Sequence, residues 1–181
     1  MAFKHVTNAG FSPWGMPSAT TTKRQKPETY ALTMVTHQRR SLFQRTENAQ
    51  LMIDILFRYR DLNKFLLHGF VVMPDHLHVL ITPAMDHATS RCVQLIKGGF
   101  SFAVREQFKG EVWNVGYHEH RVRDGNDFIA QERYIANNPS RKDHEDYAFV
   151  HTRFGERMDG MPAHLLIVGA EESIPQGLKP T

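Results

Sequence analysis

The sequence predicts an α+β domain: an antiparallel sheet built in the order strand, helix, strand, strand, helix, strand, with one more helix after the last strand. Three observations lead there. Apolar residues recur at helical spacing in separate segments. Runs rich in β-branched and aromatic residues stand between them. Pro74-Asp75, a tight-turn signal, divides two of those runs. A chain of 181 residues fits one domain. With 41% apolar and 23% charged residues, it has the composition of a packed protein rather than a disordered one.

Residues 1–28 hold scattered Gly and Pro, a Ser-Ala-Thr-Thr-Thr run and then Lys-Arg-Gln-Lys-Pro, and read as a flexible basic N-terminal arm. Tyr30 to Thr36 reads as a strand, and His37 to Arg40 as the turn leaving it. Thr46 is placed to cap a helix over 47–63, in which Leu51, Met52, Ile55, Leu56, Tyr59 and Leu62 form the apolar stripe. Phe65 to Met73 and His76 to Thr82 flank the Pro74-Asp75 turn as a hairpin. A second helix follows a Ser90 cap, with Gly98-Gly99 inside it. Those glycines either permit a close backbone approach or break the helix in two. Val112 to Arg123 reads as an irregular strand, Asp124-Gly125 as a turn, and Asn126 to Asn137 as a last helix stopped near Pro139. The first six elements follow the β-α-β-β-α-β order of a ferredoxin-like sheet with helices on one face. The seventh is a C-terminal helix bearing Tyr134. The folded domain is expected over 29–155, and 156–181 as a partly irregular C-terminal tail.

The single cysteine, Cys92, excludes an intramolecular disulfide and a multi-cysteine zinc site, and fits a reducing cytoplasm. No apolar run approaches the ~18 residues of a membrane span, and the first residues lack a signal-peptide core. The net charge of +3 is unevenly spread. Residues 1–28 carry +3, residues 29–142 carry +4 and residues 143–181 carry −4. A basic middle suits a phosphate-bearing partner but does not by itself establish one.

The chemistry concentrates in two places. In a strand, His76 and His78 share one face while Leu77, Val79 and Ile81 share the other. If the Leu77 face is the packed one, the histidines project from the opposite face at a separation that suits one metal ion. The other reading is two surface histidines in a chain that has eleven. Tyr134 and Asn138 stand four apart on the last helix, so a hydroxyl and a carboxamide share a face. Their bland reading is a half-buried ring and a helix-ending asparagine.

Taken together, these segments resemble a known family. Gly69-Phe-Val-Val-Met-Pro-Asp-His-Leu-His-Val-Leu-Ile81 resembles the HUH (His-hydrophobic-His) motif of single-tyrosine transposases. Arg133-Tyr-Ile-Ala-Asn-Asn-Pro139 resembles their tyrosine-bearing helix, and Val112-Trp113, Tyr117 and Glu119 to Arg123 the strand between. The resemblance is to the REP-associated tyrosine transposases in particular, and runs from Tyr30 to Pro139. The chain departs from the family after Pro139, where Ser140 to His144 replaces an apolar turn and a Trp-rich segment, and at Asn114, where glutamine is usual. These departures bear on DNA-sequence specificity more than on chemistry.

The resemblance implies an HUH endonuclease fold and a metal-dependent enzyme that cleaves and rejoins single-stranded DNA at palindromic hairpins. Tyr134 would be the nucleophile, forming a 5′-phosphotyrosine link. His76, His78 and Asn138 would hold Mg²⁺ or Mn²⁺. A tyrosine hydroxyl ordinarily ionises near pH ~10, so such a nucleophile needs the metal or a base. Asp75 either orients an imidazole or is only the hairpin turn, and His120 either orients phosphate or Tyr134 or is structural. His118 on the same strand face is a lesser candidate. Arg39, Arg40, Arg121 and Arg123, with Lys23, Arg24 and Lys26 of the arm, are candidate phosphate contacts. Trp113 and Tyr117 are candidates for base stacking. The expected partner is single-stranded or hairpin DNA with no membrane, in a bacterial-type, nucleoid-associated cytoplasmic setting; monomer and homodimer stay open. The alternatives are a catalytically idle hairpin-DNA or RNA regulator, and a hydrolase using His76 and His78 with water.

Overall fold

The structure, a computed structural model, describes residues 26–139, 149–151 and 157–166. Most of the arm, with Lys23 and Arg24, and the tail beyond 166 lie outside the described residues.

Strand β1 (Thr29–Val35) leads through two single helical turns, His37–Arg39 and Leu42–Gln44, into α1 (Thr46–Asp61). The hairpin β2 (Phe65–Met73) and β3 (His76–Pro83) follows, then α2 (Thr89–Ala103), β4 (His118–Val122) and α3 (Gly125–Asn137). A two-residue strand β5 (Val150–His151) and a short α4 (Ala163–Leu166) complete the described elements. The sheet has the order β4-β1-β3-β2-β5, and each neighbouring pair is antiparallel. That is the ferredoxin-like arrangement the element order predicts.

The two faces are packed by different helices. Leu32 and Met34 of β1, Leu77, Val79 and Ile81 of β3, and Phe70 and Val72 of β2 meet α1 and α2 in the larger core. Leu80, Val71, Met73 and Val122 point the other way and meet Phe128 and Ile135 of α3 and Leu165 of α4. Helices therefore cover both faces: α1 and α2 lie on one, and the tyrosine-bearing helix covers part of the other. This explains why β2 and β3 are buried almost without alternation.

Three local expectations are corrected, and the alternative left open at Gly98-Gly99 is decided. Helix α1 begins at Thr46, with Arg45 as the capping position, and α2 at Thr89 after Ala88, so neither Thr46 nor Ser90 is the cap. Helix α2 is continuous through Gly98-Gly99. A Cβ on Gly99 would stand 3.2 Å from the Tyr59 ring and 3.3 Å from Ile55, so here glycine serves the close approach of α1. Residues 112–117 are not strand, apart from a bridge between Thr36 and Trp113. Gly116 turns the chain at φ +75°, and Lys97 Nζ donates to the carbonyls of Asn114 (2.8 Å) and Gly116 (2.6 Å). Asp124 is not a turn residue but the N-cap of α3, accepting from the Asp127 amide at 2.9 Å.

Residues 157–166 are docked on the body. Asp159 receives two bonds from Arg60, at 2.9 and 3.1 Å, and one from the Leu67 amide at 2.8 Å. The backbone of Leu165 lies against Gly125, at the start of α3.

Candidate active site

The strand period puts His76 and His78 on the face away from α1 and α2. They were expected to project there into the open. Instead they are 5% and 8% exposed. The cause is α3, which crosses that face. The His78 and Tyr134 ring centroids stand 5.3 Å apart, edge to face, and those of His76 and His78 4.8 Å apart. The histidines are thus buried at the site itself, not in the main core.

Each imidazole is oriented by a neighbour. Asp75 Oδ1 lies 2.5 Å from His76 Nδ1. Burial raises the Asp75 pKa, but hydrogen bonds from His76 and from Arg39 outweigh it and hold the carboxyl below its ordinary value. The carboxylate accepts, so Nδ1 carries the proton and Nε2 the lone pair. His78 Nδ1 is 2.8 Å from the hydroxyl of Thr33, its register partner on β1. The hairpin turn is itself held, because the Thr36 amide (3.0 Å) and hydroxyl (2.9 Å) both donate to the Asp75 carbonyl.

Helix α3 supplies the rest. Asp127, Gln131, Tyr134 and Asn138 recur at i, i+4, i+7 and i+11 and form one stripe. At its start Asp127 takes His120 Nε2 at 3.0 Å on both oxygens, the Arg123 amide at 3.1 Å and Arg123 Nε at 3.0 Å. Burial pushes the Asp127 pKa up, yet these bonds overcome it and bring the carboxyl down to about 2. At its end Asn138 is 5% exposed, and its buried Oδ1 has no hydrogen-bond partner among the described residues. Between them Tyr134 is 41% exposed. It opens into a cleft of about 810 Å³ walled by Thr33, His78, His118 and His120 on the sheet and by Gln131 and Arg133 on the helix.

Among the described residues no group of three His, Cys, Asp or Glu could hold a metal. A divalent ion here would rest on two imidazoles and a carboxamide, with water and phosphate oxygens for the remainder. Two features fit it: a His76 ring whose Nδ1 is held by a carboxylate, and an orphaned buried carboxamide oxygen one turn beyond Tyr134.

The candidate arginines among the described residues all have partners within the chain. Arg39 pairs with Asp75 at 3.0 Å, Arg121 with Glu28 at 2.9 Å and Arg123 with Asp127 at 3.0 Å. Arg40 donates to the carbonyls of His37 (3.2 Å) and Glu111, a structural role. Lys26 and Tyr117 line a separate, smaller cavity of about 250 Å³ beside the start of α2. Trp113 is core, 8% exposed, with its indole N–H on the Lys97 carbonyl. Sequence reading missed Thr33, Asp127 and Gln131. The helical stripe shared with Tyr134 was the signal for the last two, and no signal marked Thr33.

A family model described as "Transposase IS200 like" matches residues 26–138, the segment carrying all of these groups. A solved structure of a REP-associated tyrosine transposase bound to a REP hairpin superposes with a TM-score of 0.60 at 25% identity. It covers 68% of this chain and 75% of that one. A putative transposase from Deinococcus radiodurans R1 is 26% identical, with a TM-score of 0.47, over 61% of this chain and 90% of that one. No curated protein matches the chain. The family match spans well over half of the chain and every strand and helix that builds the cleft: this protein belongs to the IS200-like transposase family.

Proposed function

We propose that the chain is a metal-dependent endonuclease and strand transferase for single-stranded DNA, with Tyr134 as nucleophile. One observation carries this reading: within a single chain, an exposed tyrosine stands edge-on to His78 at 5.3 Å, at the mouth of a cleft. In this reading the tyrosine serves the histidines of its own chain. The Tyr134 oxygen attacks a phosphodiester, the Oη–P bond forms and the P–O3′ bond breaks, leaving a 5′-phosphotyrosine and a free 3′-OH. One phosphoester replaces another, so no nucleoside triphosphate is required, and the 3′-OH of a second strand reverses the step. Bound at His76, His78 and Asn138, Mg²⁺ or Mn²⁺ would polarise the phosphate. Asp75 and Thr33 hold the two imidazoles in register for it.

The similar solved structure holds a REP hairpin, which supports a palindromic hairpin as the substrate here. The side chains of Arg39 and Arg121 are 66% and 63% exposed, and such surface pairs stabilise by only ~0–1 kcal/mol. They can exchange a carboxylate for a phosphate at small cost.

The test is to incubate the chain with hairpin-bearing single-stranded DNA and Mn²⁺ and to run a denaturing gel. A protein-linked DNA band is expected, together with a shortened strand. Tyr134→Phe removes only the hydroxyl, so both products should disappear while hairpin binding persists. Cleavage that survives in Tyr134→Phe would assign the attack to water. Binding without any adduct in the unaltered chain would make the protein a hairpin-binding regulator.

A further inference from the structure

The reaction above leaves open where the Tyr134 proton goes. His120 and Asp127 form a pair with no task in it so far. His120 Nε2 faces both carboxylate oxygens of Asp127 at 3.0 Å. An ionised carboxylate offers only lone pairs, so Nε2 carries a proton and Nδ1 is the nitrogen left to accept one. Asp127 is 8% exposed and is locked by the Arg123 amide, by Arg123 Nε and by the first turn of α3. The imidazole is different. Its side chain is 37% exposed and forms part of the cleft's sheet wall, while Tyr134 forms part of the helix wall. A buried anion fixing one nitrogen of a cleft-lining imidazole is how a histidine is held as a general base.

Resting on the tyrosine-nuclease reading, we infer that His120 is the catalytic proton acceptor for Tyr134, and that Asp127 is the positioning residue that fixes its tautomer. During cleavage the Tyr134 O–H bond breaks as Oη–P forms. The proton passes to His120 Nδ1, directly or through one water. The P–O3′ bond breaks, and the departing oxygen takes a proton from water. During rejoining the incoming 3′-OH gives its proton to water, and His120 returns its own to the Tyr134 oxygen. Asp127 and Tyr134 need not touch: they lie two helical turns apart on one stripe, roughly 10 Å along the axis, and the imidazole reaches the cleft from β4.

The groups that bear on His120 are Asp127, Arg133 and Tyr134 from α3, Arg123 from the turn, His118 from its own strand and His78 from β3. Ala31 and Thr33 of β1 lie between and do not titrate.

Single-turnover cleavage of hairpin DNA with Mn²⁺, using the full chain, decides the matter. His120→Gln keeps an amide donor for Asp127 but no base, and His120→Ala leaves space. Both should bind the hairpin as the unaltered chain does and cleave it about 10²-fold more slowly or worse. At saturating Mn²⁺ the rate of the unaltered chain should rise with pH, and that rise should be missing in both variants. Added imidazole should restore cleavage to His120→Ala but not to His120→Gln. Unchanged rate and pH profile in His120→Gln overturn the inference. So does a slower rate that follows weaker binding and keeps the pH profile, which would make His120 a clamp for α3. If the unaltered chain forms no adduct, the tyrosine-nuclease reading fails and this inference with it. An adduct with an indifferent His120→Gln removes this inference alone.

Discussion

At His76 a single neighbour decides which nitrogen can take a ligand. Asp75 Oδ1 occupies Nδ1, so the lone pair is on Nε2, and Arg39 holds the other carboxylate oxygen. An amide in place of the carboxylate weakens that orientation without removing a ligand. Asp75→Asn should therefore raise the Mn²⁺ concentration for half-maximal cleavage by ~10–100-fold. The rate at saturating metal should stay within a few-fold of the unaltered chain. A metal titration of single-turnover cleavage checks this, and an unmoved midpoint would reduce Asp75 to a hairpin turn. Much at this scale was legible in the sequence. The i, i+2 spacing put both histidines on one face, and Tyr134 and Asn138 were paired by helical period. Their burial was not legible, because it comes from a helix about fifty residues downstream whose docking no local pattern reports. Asp127 was missed for a related reason: its partner His120 lies on another element, and a first-turn acid is ordinary in any helix.

Among the elements, α1 and α2 show how one glycine pair can serve two ends. Gly98 has open space where a Cβ would stand, while Gly99 faces the Tyr59 ring and Ile55 within 3.3 Å. Both lie in a continuous helix. Gly98→Ala should raise stability by ~0.5–1 kcal/mol, through reduced freedom of the unfolded chain and better helix propensity. Gly99→Ala has the same propensity gain but must displace a packed ring, so it should fall short of Gly98→Ala. Thermal melts of the two variants make the comparison, and equal gains would mean that α1 yields freely. The two glycines were visible in the sequence, but which of them meets a neighbour depends on the phase of α2 against α1. The strand over 112–123 failed in a similar way. Its apolar and β-branched content is real, but Lys97 reaches across from α2 and holds Asn114 and Gly116 as a loop, so only His118–Val122 pairs in the sheet.

Across the whole molecule, a buried polar chain ties the second face of the sheet together. The Asp159 carbonyl accepts from His68 Nδ1 at 3.0 Å, so His68 Nε2 accepts from the Thr82 hydroxyl at 2.8 Å. Thr82 meets Thr29 at 2.7 Å, and Thr29 meets His164 at 3.3 Å. The chain crosses β2, β3 and β1 and links residues 157–166 to them, next to the start of α3. Sequence reading took those residues as tail, because a docking strand-to-segment network has no periodicity of its own. Burial lowers the pKa of His68, and that of His164 as well. The sign follows from linkage. A histidine whose folded pKa is depressed stays neutral in the native state while the unfolded chain takes up a proton. Its stabilisation is complete above the unfolded value near ~6.5 and is lost as pH falls toward the folded one. Asp75, Asp127 and Asp159 have depressed carboxyls and act in the same direction, but only below about pH 4. The urea midpoint should therefore hold level at pH 7–8, decline from about pH 6.5 to pH 5, and fall again in stronger acid. His68→Gln keeps a donor and an acceptor in place but does not titrate, so it should flatten the first decline, even if its midpoint at pH 8 is lower. A midpoint level from pH 8 to pH 5 in the unaltered chain, or an equal decline in His68→Gln, would show that the buried chain does not set the acid response.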